Sequence, residues 1–182
     1  MPRLVAFLRA INVGGRTVTM EELRRQFSTL GYQEVETFIA SGNVIFSSRP
    51  GNILAAQRKI EDRLKTALGY DVSTFVRTGA EIAAIAKYQP FEPALVAQAA
   101  VVNVGFVAEP IPPANRKAVL ALRNDSNELH MHGRELYWLS KTKTSESKLS
   151  YASFEKALKT RATFRGVNTI TRLASKYGFS AK

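Results

Sequence analysis

The chain has 182 residues, room for one large domain or two small ones at ~100–150 residues each, with an ordinary 45% hydrophobic content. It has no cysteine, which excludes disulfides, thiolate nucleophiles, iron–sulfur clusters and cysteine zinc sites, and its two histidines leave few parts for a metal centre. Lys and Arg number 26 against 15 Asp and Glu, a net charge of +11, and no apolar run approaches the ~18 residues of a membrane-spanning helix. The opening apolar run from Leu4 to Leu8 ends at Arg9, too soon for a signal-peptide core of ~7–15 residues, so a soluble, cytoplasmic protein is expected.

In chain order, residues 3–11 read as a strand, with Leu4, Ala6 and Leu8 on one side and Arg3, Val5, Phe7 and Arg9 on the other. Thr19 and Glu22 make a capping box, and Met20, Leu23, Phe27 and Leu30 give the helix behind it one apolar stripe that stops at Gly31. Strands at 33–40 and 43–48 flank a tight hairpin at Ser41 and Gly42. A helix at 52–68 carries Ile53, Ile60, Leu64 and Leu68 and ends at Gly69. A strand at 71–77 completes β-α-β-β-α-β, the ferredoxin-like order. Phe75 lies opposite its Val72/Val76 side, so both faces of this first sheet are at least partly apolar and both are expected to be covered.

Thr78 and Glu81 form another capping box for a helix to Lys87, and Pro90 and Pro93 then break the chain. Residues 99–107 read as a strand, 113–123 as a helix with proline in its first turn, 127–132 and 135–140 as strands turning at Gly133, and 151–159 and 166–177 as helices. The fold class is therefore α+β with two compact subdomains. The first, 1–78, is ferredoxin-like (βαββαβ); the second, 79–182, is a related αβαββαα unit with basic C-terminal helices.

The charge is concentrated. Residues 1–140 carry 16 basic and 13 acidic side chains, whereas residues 141–182 carry ten basic against Glu146 and Glu155. Such a field attracts phosphate polymers or acidic partners, and an ordinary solvated surface is the competing explanation. Aromatic residues interleave with the basic tail at a spacing that suits buried helix faces better than base stacking.

Three segments offer binding chemistry. The loop Asn12, Gly14, Gly15, Arg16 lies between a strand and a helix, where exposed N–H groups and a guanidinium suit an anion; turn geometry with an Asn-closed loop explains the same residues. Arg9, Ser41 and Asn43, with Asn12, Lys148 and Arg165, are the residues an interdomain cleft of an enzyme would bring together, although Ser41 has no nucleophile-elbow context and Ser41-Gly42-Asn43 reads first as hairpin chemistry. The last helix buries Val167, Ile170, Leu173, Ala174 and Tyr177, leaving Arg165, Asn168 and Arg172 on a surface that suits an anion and that Lys148 is placed to join; a solvated helix face explains the same residues and is the default. His130 and His132 share one strand face without a third ligand, so they read as solvated histidines and no metal or other cofactor is expected.

The run FLRAINVGG at 7–15, with Met20 and Leu23, Leu30-Gly31-Tyr32, Val35 and Thr37, and Ser41-Gly42-Asn43-Val44, resembles the largely bacterial family catalogued as domain of unknown function 1697. Ser147-Lys148-Leu149 and the stretch 163–169 resemble its C-terminal pattern, with Gly166 and Val167 where that family has Asn and Trp. The resemblance implies two compact α+β subdomains and brings no established activity. No catalytic residue is assigned. The sequence reading is a binding protein for a phosphate-bearing partner, nucleic acid or a small anionic ligand, acting as a monomer or weak homodimer without a membrane. An enzyme acting on a small anionic metabolite in an interdomain cleft, and an adaptor for an acidic protein, are the alternatives.

Overall fold

The computed structural model describes residues 1–39 and 42–181. It divides into two compact units, 1–84 with 173–182, and 85–172. The first unit is built from β1 (Arg3–Leu8), α1 (Met20–Thr29), β2 (Gln33–Thr37), β3 (Asn43–Ser47), α2 (Ile53–Leu68) and β4 (Thr74–Thr78), with α3 (Gly79–Lys87) following. Capping chemistry sets the helix starts: Thr19 Oγ1 accepts from Glu22 N at 3.1 Å, and Asn52 Oδ1 accepts from Ala55 N at 3.1 Å. Gly69 ends α2 in the left-handed conformation, φ 80°.

The sheet is antiparallel with strand order β2-β3-β1-β4, the ferredoxin-like arrangement. Leu4, Ala6 and Leu8 of β1 meet Leu23 and Phe27 of α1 and Ile60 and Leu64 of α2 in one core. On the opposite face Val5, Phe7, Ile45 and Phe75 are also buried, so both faces are covered. Arg77 of β4 is fully buried, with Nη1 donating to the Val76 carbonyl at 3.0 Å.

The second unit holds α4 (Pro93–Gln98), β5 (Val101–Phe106), α5 (Pro113–Leu120), β6 (Asn127–His132), β7 (Glu135–Ser140), α6 (Tyr151–Leu158) and β8 (Thr163–Gly166), with α7 (Val167–Lys176) after it. Its antiparallel order is β6-β7-β5-β8, the spatial order of the first sheet repeated. Trp138 is fully buried among Phe154 and Phe164, and its Nε1 donates to Asn127 Oδ1 at 2.8 Å.

Two elements differ from the sequence reading. The prolines at 90 and 93 do not simply break the chain: Pro93 begins α4, where a missing N–H costs no helix bond. β8 precedes the last helix, which starts at Val167, and turns the second unit into a second βαββαβ. Four residues are too few to show a strand period beside the strong stripe of α7. Among the described residues no helix is long and apolar enough to cross a membrane.

Candidate functional site

In the first unit, the glycine loop closes on itself. Asn12 Oδ1 accepts from Val18 N at 2.7 Å, Gly14 and Gly15 take φ 66° and 79°, and the Arg16 guanidinium stacks 4.1 Å over the ring of Tyr70. Tyr70 Oη in turn donates to the Ile11 carbonyl at 3.1 Å. Arg9 is half-buried and its N–H donates to the Ser73 carbonyl at 2.9 Å. Asn43 is buried opposite Phe7, with Nδ2 donating to the Phe38 carbonyl at 2.9 Å. The predicted residues Arg9, Asn12, Gly14, Gly15, Arg16 and Asn43 thus lie on β1, the loop after it and the neighbouring strand; Ser41 lies outside the described residues.

In the second unit, Lys148 is exposed beside a polar depression of about 290 Å³ that includes Asn127, Thr142 and Glu146. Arg165 is on β8 and its Nη1 donates to Thr163 Oγ1 and to the Phe164 carbonyl, both at 2.8 Å. Burial lowers its pKa to about 10, with Tyr151 acting in the opposite sense. Asn168 and Arg172 are exposed one turn apart on α7.

A cleft of about 800 Å³ opens in the same unit, lined by Tyr88, Gln89, Phe91, Tyr137, Asn168 and Thr171 among others. Among the described residues no Asp, Glu, Lys or Arg lines it. Among the described residues Asn168 is the one predicted site residue in its wall, and Gly166 and Val167 line it beside Asn168. Tyr88 is fixed there by the two histidines: its hydroxyl lies 2.8 Å from His130 Nε2, and its ring stacks on His132 at 4.4 Å. This corrects the solvated reading, because His130 is half-buried; burial first, then the charges of His132, Arg123 and Arg116, holds its pKa below the ordinary value. The partner that decides this, Tyr88, lies 42 residues away, beyond any local pattern. Among the described residues no group of three His, Cys, Asp or Glu side chains is placed to hold a metal.

The two helical layers differ in charge. Helices α1 and α2 carry six cations with four carboxylates, Glu21, Glu22, Glu61 and Asp62. In contrast, α5, α6 and the turn after α6 carry Arg116, Lys117, Lys156, Lys159 and Arg161 with Glu155 alone. Lys117, Lys156, Lys159 and Arg161 are exposed and, among the described residues, form no ion pair. Lys141, Lys143 and Lys148 add exposed cations between β7 and α6.

A family model described as a protein of unknown function, DUF1697, matches residues 1–137. The chain belongs to the DUF1697 family. The DUF1697 protein is also similar in structure to the conserved bacterial protein SP0830 from Streptococcus pneumoniae, with a TM-score of 0.75 at 22% identity, covering 96% of this chain and 97% of that one. That likeness supports the α+β two-subdomain fold of the DUF1697 protein over both units. None of the curated proteins matches it.

Proposed function

We propose that this DUF1697 protein is a basic, cytoplasmic binding protein for a phosphate-bearing polymer, nucleic acid, held by the helical layer of its second unit. The observation that carries the reading is the charge contrast between two layers of the same architecture. One mixes its signs; the other exposes Lys117, Lys156, Lys159 and Arg161 with no carboxylate paired to them among the described residues. Cations on a helical layer neutralise phosphates and release their counterions, so binding falls steeply with salt. Lys141, Lys143 and Lys148 extend the same charge along the chain.

The test is binding of the purified, nuclease-treated protein to labelled single-stranded and duplex RNA and DNA across a salt series. Binding that persists near physiological salt, and that weakens at least tenfold (roughly 1.4 kcal/mol) when Lys156, Lys159 and Arg161 are replaced by Gln, supports the reading. Binding that disappears at modest salt, or that ignores the triple substitution, overturns it.

A further inference from the structure

We propose that the cleft of the second unit receives an unstacked nucleobase with its sugar, from a single-stranded nucleic acid; the inference rests on the phosphate-binding reading above and specifies the ligand. Gln89, Phe91 and Asn168 in its wall have no side-chain hydrogen bond, ion pair or ring contact among the described residues. Each supplies something a base needs. Phe91 offers a ring face, and stacking on such a face tolerates any base. Gln89 and Asn168 are exposed carboxamides, and each presents both a donor and an acceptor, the chemistry of a base edge.

The charge of the lining narrows the ligand. In a chain of net charge +11, a cleft whose described lining holds no cation is not built for a free carboxylate or phosphate. An aliphatic ligand would leave both carboxamides facing apolar surface, at the cost of desolvating them. A planar, neutral, hydrogen-bonding ring satisfies both constraints. The volume of about 800 Å³ lies within the ~300–1,000 Å³ of small-molecule clefts and leaves room for the sugar. Tyr88 contributes a wall already held in place by His130 and His132, so ordering it on binding costs little.

Two measurements on the full chain test this. In the first, the isotopically labelled protein is titrated with adenosine, cytidine, guanosine and uridine, which carry no phosphate. Amide shifts confined to Gln89, Phe91, Asn168, Thr171 and their neighbours are expected. In the second, Phe91→Leu and Asn168→Ala are compared with the parent on single strands and on duplex. The Leu variant keeps apolar bulk and removes the stacking face, so it separates stacking from folding. Single-strand affinity should fall about tenfold in Phe91→Leu while duplex affinity and salt slope stay unchanged. Nucleosides that leave the cleft amides unmoved, or variants that bind single strands like the parent, overturn the base pocket and leave the phosphate reading standing. Nucleosides seated in the cleft of a protein that ignores polymers would instead overturn both the phosphate reading and the single-stranded source, leaving a pocket for free nucleosides.

Discussion

Among the described residues the side-chain nitrogen of Asn103 is buried without a hydrogen-bond partner, on β5 directly across from Gly166 of β8. Residues so paired stand on the same face of the sheet, and among the described residues a Cβ at Gly166 would meet only Thr169 Oγ1, at 4.0 Å. A side-chain acceptor at 166 therefore has both space and a waiting donor. Gly166→Asn should raise stability by about 1–2 kcal/mol, from one hydrogen bond and the lower entropy of the unfolded chain. Urea denaturation checks it, and the gain should shrink by the hydrogen-bond share when Asn103 is replaced by Ala. His130 gives a second residue-level prediction. Its pKa is lowered in the fold, so the native state favours the neutral ring; the stability this brings is present above the unfolded value of about 6.5 and is lost as pH falls through the lower folded value. The melting temperature should drop between pH 7.5 and 5.5, and His130→Gln should flatten that drop. An unchanged drop in the variant would assign it to other groups.

At the scale of elements, β8 depends on a glycine. Gly105 of β5 pairs with Phe164, whose ring covers it so closely that a Cβ there would lie 2.6 Å from Phe164 Cε1. The same ring stacks on Tyr151 of α6 at 4.8 Å and meets Trp138 edge-on. Gly105→Ala forces the ring away and should cost about 1–3 kcal/mol, with loss of near-ultraviolet circular dichroism from the Trp138 cluster. This dependence also explains what the sequence shows and hides. The capping bond at Thr19, the capping box at Thr78 and the turn at Gly133 act through neighbours a few residues away, and the helices and strands they bound are legible. β8 is held by β5, some sixty positions earlier in the chain, and its four residues carry no period of their own. The site divides in the same way. The excess of cations after residue 140 is plain in the sequence, whereas the cleft joins Gln89 and Phe91 to Asn168 through tertiary placement alone.

For the whole molecule, the repeated strand order means that one architecture occurs twice with different surfaces, which separates the effect of fold from the effect of charge. The basic C-terminal tail is divided between the units: Lys176 belongs to the first and lies 3.8 Å from Glu36, while Lys156, Lys159 and Arg161 belong to the second. Net charge alone would make every exposed cation equivalent, since a uniform field depends on the total. A localised phosphate surface makes position decisive. Removing the three charges at Lys156, Lys159 and Arg161 should lower the slope of log affinity against log salt by about two to three units, at roughly 0.7–0.9 per phosphate contact. Removing three at Arg24, Arg58 and Lys59, exposed on α1 and α2, changes the net charge equally and should leave the slope almost unaltered. Equal losses from the two sets would show that only the total matters, and the helical layer of the second unit would then have no special role.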